Sequence, residues 1–350
     1  LKLVGYNLNE IIQTGANFGL DQVHDNPFLC DIGSGTMVSD GLAMANVEMS
    51  NSSFKLGKVK IGDHNYLGNN IYFPAASKTG ANCLLATKVM IPVDGPVREN
   101  TGLLGSPCFE IPRVAERDRQ LADIDKNVLM QKIGEKNRWN LMTIAIYLSC
   151  AWLFFFFTLL SAYLSILYYP ILGAPSLIAL VAFVALFSLA FFVLMERASL
   201  GFKTLQPKIV SMYDQYFWFH ERHWKLTGHP LMFLFNGTPF KSVISRLLGI
   251  KIGKMVFDDG ANLFDKTLIE IGDYSNLNVA SVLQGHSLEE GAFKSDRIKI
   301  GSGSSIHCGA FVHYGVNMGE NVVLGPNAFL MKGETLPPNT NWEGNPAREV

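Results

Sequence analysis

Ile300-Gly301-Ser302-Gly303-Ser304-Ser305-Ile306-His307-Cys308-Gly309-Ala310-Phe311-Val312-His313-Tyr314-Gly315-Val316-Asn317-Met318 puts an apolar side chain at every sixth position, and Leu324 and Leu330 continue the count. Period six fits neither a helix at 3.6 nor a flat strand at 2. It fits a parallel β-helix, in which each hexapeptide forms one short face and three faces close a coil. The apolar residue points into the stacked core. The residue after it turns the corner, where a side chain would crowd, and Gly301, Gly319 and Gly325 stand there.

The same pattern occurs earlier, at Ile61, Leu67, Phe73, Thr79, Leu85 and Ile91, with one polar lapse. The two stretches are copies. Asp31–Phe109 falls on Glu270–Arg348 without a gap, at a constant offset of 239 residues. Ile32-Gly33 lands on Ile271-Gly272, Phe54-Lys55 on Phe293-Lys294, and Gly105-Ser106-Pro107 on Gly344-Asn345-Pro346. One difference stands out: Val47 in the first copy lies opposite His286 in the second. Only the second copy therefore looks equipped for catalysis.

Between the copies, Trp139–Met195 contains no Asp, Glu, Lys or Arg. A membrane-spanning helix needs about 20 apolar residues, so the run holds two, placed at Leu141–Tyr169 and Ser176–Met195 with a turn over 170–175. Arg113, Arg117, Arg119, Lys126, Lys132, Lys136 and Arg138 precede the first span; Arg197, Lys203 and Lys208 follow the second. The turn carries no basic residue, so the positive-inside rule puts both copies in the cytoplasm, on a multi-pass protein of the inner membrane. The aromatic and charged stretch Gln206–Leu226 reads as an interfacial elbow helix, its histidines solvated or facing headgroups. The fold class is mainly β: two tandem left-handed parallel β-helix modules separated by a two-helix transmembrane hairpin. The divisions are a first module over 1–112, a polar connector over 113–138, the hairpin over 139–196, the elbow helix and linker over 197–234, and a second module over 235–350.

The net charge is −1, and there is no Walker loop, dinucleotide fingerprint or basic stripe, so nucleotide and nucleic-acid chemistry are not indicated. The five cysteines form no C-x-x-C pair, which suggests reduced thiols and gives no metal site. Chemistry is concentrated instead in Gln284–Arg297, a polar stretch that breaks the hexapeptide rhythm. A neutral His286 can take a proton from an attacking nucleophile. Glu289 or Glu290 would orient its ring, as in a His–carboxylate pair. Lys294 could stabilise an oxyanion, although Lys55 in the first copy makes a structural role at least as plausible. Asp296, His307 and His313 are further candidates for substrate contact, the two histidines at corners that face outward. His64 has no partner motif and reads as surface.

His286, the coils from Ile298 to Leu330 and the terminal Gly344-Asn345-Pro346-Ala347-Arg348 resemble the left-handed β-helix, hexapeptide-repeat acyltransferases. That resemblance implies trimeric packing, active sites between neighbouring modules and His286 as general base in acyl transfer from a thioester. The whole chain is similar to the C-terminal part of the poly-ε-lysine synthetases, membrane-bound nonribosomal peptide synthetases. The similarity is carried by Phe235-Asn236-Gly237-Thr238-Pro239-Phe240, Arg246-Leu247-Leu248-Gly249, Phe257-Asp258-Asp259-Gly260 and Phe311-Val312-His313-Tyr314-Gly315.

This second resemblance implies a terminal condensing function. A carrier-bound aminoacyl thioester would be joined to an amino acid or short homopolymer. The phosphopantetheine arm would come from an upstream carrier domain, and the other partners would be an adenylation domain and a further β-helix module, in a pseudo-trimer within the chain or a higher homo-oligomer. Leu1 falls opposite Phe240 and none of those domains is in the sequence, so the resemblance also implies part of a longer protein or a degenerate relative. Two other classes fit the same residues: a membrane-tethered hexapeptide acyltransferase using acyl-CoA, and a non-catalytic membrane scaffold.

Overall fold

Each sixth apolar residue of the second module turns inward. Ile300, Ile306, Val312, Met318, Leu324, Leu330 and Leu336 are at most 2% exposed and share one core. The computed structural model describes residues 1–15, 22–113, 126–228, 231–289 and 291–350. In it, Ile300 pairs in parallel with Met318 and Met318 with Leu336, one 18-residue coil apart. Ser305–Ile306 pairs with Val323–Leu324, and Phe311–His313 with Phe329–Leu330, which supplies the other two faces. Three parallel sheets around one apolar column make the β-helix that the period requires.

The first module repeats this with its own core, from Ile32 to Leu103. Its polar lapse is accommodated. The buried Asn65 donates to Thr79 Oγ1 and to the carbonyls of Gly62 and Gly80, and accepts from the Cys83 N–H. The corner glycines answer to close approach of the next coil. A Cβ on Gly62 or Gly301 would lie 2.3 Å from the carbonyl oxygen of Gly80 or Gly319.

In one place the spacing changes. Ile271 pairs with Ile300, 29 residues on, and Ile32 with Ile61, also 29 on. The surplus over one coil is thrown out as an antiparallel hairpin: Val47–Met49 with Phe54–Leu56 in the first module, His286–Glu289 with Ala292–Ser295 in the second. The stretch expected to break the rhythm is this second hairpin.

Helix α1 runs over Lys126–Leu172 and α2 over Ala174–Ser199. Both are long and apolar enough to cross a membrane, and few of their side chains are buried by protein. The turn is shorter than expected. Helix α1 continues through Pro170 to Leu172, and Gly173 alone reverses the chain, at φ 59° and ψ −140°, a backbone region essentially confined to glycine. Of the connector, 114–125 lies outside the described residues.

The elbow differs more. Lys208–Ser211 is a strand that adds antiparallel to Ala292–Ser295. Helix α3, Gln215–Leu226, follows, with Asp214 capping the Tyr216 N–H at 2.7 Å. Its aromatic face fills the space over the second hairpin, with Phe217, Trp218 and Phe293 in one buried cluster. His220 and His223 are buried, not solvated. The polar face is taken up by α1: Lys136 pairs with Glu221 at 3.3 Å, and Arg222 Nε donates to Thr143 Oγ1 at 2.9 Å. Helix α4, Pro239–Leu248, starts on proline and ends before Gly249 at φ 106°, and it closes the lower end of the second module.

Candidate active site

His286 opens the first strand of the second hairpin, and its side chain is 16% exposed. Its Nδ1 lies 2.5 Å from Asp265 Oδ2. The other oxygen, Oδ1, is 2.6 Å from His220 Nε2 and accepts from Trp224 Nε1 at 3.0 Å. The carboxylate is fully buried and held on both sides. Trp224 also stacks beside the His286 ring, centroids 4.2 Å apart.

Local geometry makes this possible. Asp265 sits in the left-handed region at φ 57°, just before the turn Lys266–Leu268. That conformation is uncommon for a residue with a Cβ and is tolerated best by Asp and Asn. Its side chain makes no capping bond to its own helix turn and is turned towards the hairpin. Gly285 lets it approach: a Cβ there would meet Asp265 Cβ at 3.0 Å and Oδ2 at 3.1 Å.

The electrostatics fix the charge of Asp265. Burial works against the charged form of Asp265. The two imidazoles aimed at it, by charge and by hydrogen bond, outweigh burial and hold its carboxyl well below the usual carboxylate range. A carboxylate only accepts, so His286 donates from Nδ1, and in its neutral form the lone pair is on Nε2. This arrangement can act as a general base.

The site borders a cleft of about 1360 Å³ between the two modules, lined by Tyr66, Gly68 and Asn69 from the first and by His286, Ser287 and Leu288 from the second. Contacts across it reach the hairpin. Tyr66 donates to the Leu288 carbonyl at 2.7 Å. Asn69 donates to Gln284 Oε1 at 2.9 Å, and Gln284 in turn to the His286 carbonyl at 3.0 Å. At the far edge Asn345 donates to the Lys88 carbonyl, and Lys88 to that of Gly309.

The expected site residues separate. His286, Glu289 and His313 line the cleft; Lys294, Asp296 and His307 do not, and Glu290 lies outside the described residues. Glu289 does not orient His286. It pairs with Lys332, and with Lys294 at 3.4 Å. Burial opposes its charge, yet Lys332 foremost and Lys294 bring its carboxyl down to about 2. Lys294 is buried and paired with Glu289. Asp296 is exposed and accepts from the Arg297 N–H. His313 does not face outward: it is buried against Phe311, Phe329 and Tyr314, and burial foremost brings its imidazole down to about 3. His307 is half-buried.

Sequence reasoning missed Asp265, His220 and Trp224. Asp265 had a signal, since at the same offset its counterpart in the first copy is Asn26, a second difference beside Val47. His220 and Trp224 have no counterpart within the sequence to be compared with.

No protein-family model matches the chain. It is 24% identical over 333 residues to a delta-poly-L-ornithine synthetase of Acinetobacter baumannii (strain AB307-0294), covering 92% of this chain and 24% of that protein. The chain thus spans about a quarter of that relative's length. Among solved structures it is similar to a hexapeptide-repeat acetyltransferase of Vibrio cholerae O1 biovar eltor complexed with acetyl coenzyme A (21% identity, 29% of this chain and 59% of that one, TM-score 0.27). It is also similar to a maltose O-acetyltransferase from Clostridium difficile 630 (20% identity, 45% of this chain and 95% of that one, TM-score 0.31).

Proposed function

We propose that this chain is the terminal condensing region of a membrane-bound peptide synthetase, joining a carrier-bound aminoacyl thioester to an amino acid or a short homopolymer. The observation that carries this reading is the His286–Asp265 pair, with no hydrogen bond to Nε2 among the described residues, beside a cleft of about 1360 Å³ shared by both modules. That volume exceeds the 300–1,000 Å³ usual for one small ligand and suits two reactants at once. The similarity to a delta-poly-L-ornithine synthetase agrees with it and points to a basic amino acid as monomer.

In this reading the phosphopantetheine arm of an upstream carrier domain enters the cleft, charged by an adenylation domain. An amine of pKa about 10.4 is mostly protonated at pH 7 and cannot attack as such. One proton leaves the ammonium for solvent, and His286 removes a second as the nitrogen attacks the thioester carbonyl. The C–N bond forms, the C–S bond breaks, and the imidazolium returns the proton to the departing thiolate. Asp265 fixes the tautomer and stabilises the imidazolium. The hairpin α1–α2 crosses the inner membrane with both modules on the cytoplasmic side. A further β-helix module completes a pseudo-trimer.

The test is mass spectrometry of products from the full-length gene, expressed in membranes with ATP and a panel of amino acids including ornithine and lysine. The expected result is a ladder spaced by one amino-acid residue that is lost in His286→Ala. A ladder that survives in His286→Ala overturns the reading. Acylation of small amines from acyl-CoA, without a ladder, assigns the site to a tethered acyltransferase instead.

A further inference from the structure

A His–carboxylate pair needs one imidazole, and here the carboxylate holds two. Asp265 takes His286 on Oδ2 and His220 on Oδ1, and His220 comes from α3, 66 residues before His286 in the chain. Asp265 has no proton to give, so His220 donates from Nε2, which leaves Nδ1 as its second polar atom. That Nδ1 is buried with no hydrogen-bond partner among the described residues. A buried polar atom without a partner is unfavourable. His220 is therefore poorly explained as a packing residue, since a phenyl ring would fill the same aromatic site beside Trp224 and Phe293 without an orphaned nitrogen.

We infer that His220 is a positioning residue: its Nε2–H, with Trp224 Nε1–H, keeps the Asp265 carboxylate ionised and rotated so that Oδ2 faces His286. The inference rests on the reading of His286 as the base. Without the Oδ1 donors, a fully buried carboxylate has one hydrogen-bonded oxygen left, and desolvation favours protonation or rotation. Either change removes the acceptor that fixes His286 Nδ1–H, and Nε2 is no longer presented to the cleft.

Helix α3 is itself held by the hairpin. Trp139 of α1 donates to the Trp218 carbonyl at 3.2 Å, and Ser199 of α2 is 2.7 Å from His223 Nδ1. Glu196 of α2 accepts two bonds from Lys266, the neighbour of Asp265 in the chain. The apolar hairpin thus fixes the helix that fixes the carboxylate.

The experiment compares His220→Phe and His220→Gln in the full-length protein in membranes. Phe keeps the ring and loses the donor; Gln keeps an N–H donor near the Nε2 position. Partners of this kind are worth about 10–100-fold, so His220→Phe is expected to lower kcat by that order with KM little changed and the melting temperature not lowered. His220→Gln is expected to recover most of the rate. A wild-type kcat in His220→Phe overturns the inference, and so does a loss in His220→Gln as large as that in His220→Phe, which the missing donor cannot explain.

A second readout needs no transferase activity. Diethylpyrocarbonate labelling of His286, followed by peptide mass mapping, reports whether Nε2 is presented. Slower labelling in His220→Phe than in wild type and His220→Gln supports the inference even if no amino-acid ladder is found. Equal labelling in all three overturns it while leaving the proposed reaction to its own test.

Discussion

The two modules have the same kind of core, the same coil length and a hairpin at the same offset, and they differ at the two residues of the His–carboxylate pair. Val47 stands where the second module has His286, and Asn26 where it has Asp265. The contrast extends to the backbone. Asn26 is extended at φ −142°, and its side chain accepts from the Phe28 N–H of its own turn. Asp265 is left-handed at φ 57° and caps nothing, so both oxygens serve other side chains. The hairpins part as well. Phe54 is 67% exposed and its counterpart Phe293 is buried, because Lys208–Ser211 and α3 cover only the second hairpin. The same scaffold thus carries a buried His–carboxylate pair in one copy and none in the other, the difference made by two side chains and one covering helix.

The strongest way to break this comparison is to turn the second copy into the first. Asp265→Asn gives the second module the residue of the first. An amide accepts on one atom only, so it cannot receive both His286 and His220. Loss of the corresponding carboxylate in a triad costs about 10⁴-fold through the wrong tautomer. Product formation in Asp265→Asn is expected to fall by about 10²–10⁴-fold, with intact folding by circular dichroism. A loss below tenfold would show that the carboxylate does not govern His286.

A smaller effect is expected across the cleft. Asn69 belongs to the module without the base, yet it holds Gln284, which holds the His286 carbonyl. Asn69→Ala removes the first link, and Tyr66→Phe removes the bond to Leu288. Each is expected to lower kcat/KM about tenfold, in the range of outer-shell partners. Wild-type kinetics in the double variant would mean that the first module contributes no more than a wall.

The buried histidines set a pH dependence of stability. Burial foremost lowers His223 to about 4, against the pull of Glu196, and His313 to about 3. Both folded values lie below the ordinary 6.5, so the unfolded chain binds protons first as pH falls. Their contribution is complete above about pH 6.5 and declines as pH drops towards the folded values. Glu289, folded at about 2, adds a second loss only below its ordinary 4.5. The melting temperature is therefore expected to fall between pH 7.5 and 5, and His313→Gln to flatten that slope. An unchanged slope in His313→Gln would assign the effect elsewhere.

Much of this was legible in the sequence because it repeats. Period six gave the coils, the offset gave the copies, and the substitution of Val47 by His286 pointed to the site. What was missed comes from elsewhere in the chain. The gap-free match begins at Asp31, just after Asn26, so the second substitution escaped notice. His220 and Trp224 lie in a stretch whose aromatic and charged pattern fits a membrane interface equally well, and only packing reveals that those aromatics fill a protein pocket. Glu289 was close in sequence to His286, but two lysines claim it.

The last test sharpens the comparison in the opposite direction. If one histidine made the difference, Val47→His in the first module would create a second base. The geometry argues that it will not. Asp25 Oδ2 already accepts from the Val47 N–H at 3.1 Å and the Asn46 N–H at 2.7 Å, which locks the loop where Gly285 leaves room in the second module. Asn46 is buried in that space, bonded to the Asn26 N–H, and Asn26 points back to its own turn. No helix among the described residues covers the first hairpin to bring a His220 or a Trp224. In a His286→Ala background, Val47→His is therefore expected to restore nothing measurable, alone or with Asn26→Asp. Recovered product formation in the pair would show that histidine and carboxylate suffice and that the covering helix is dispensable.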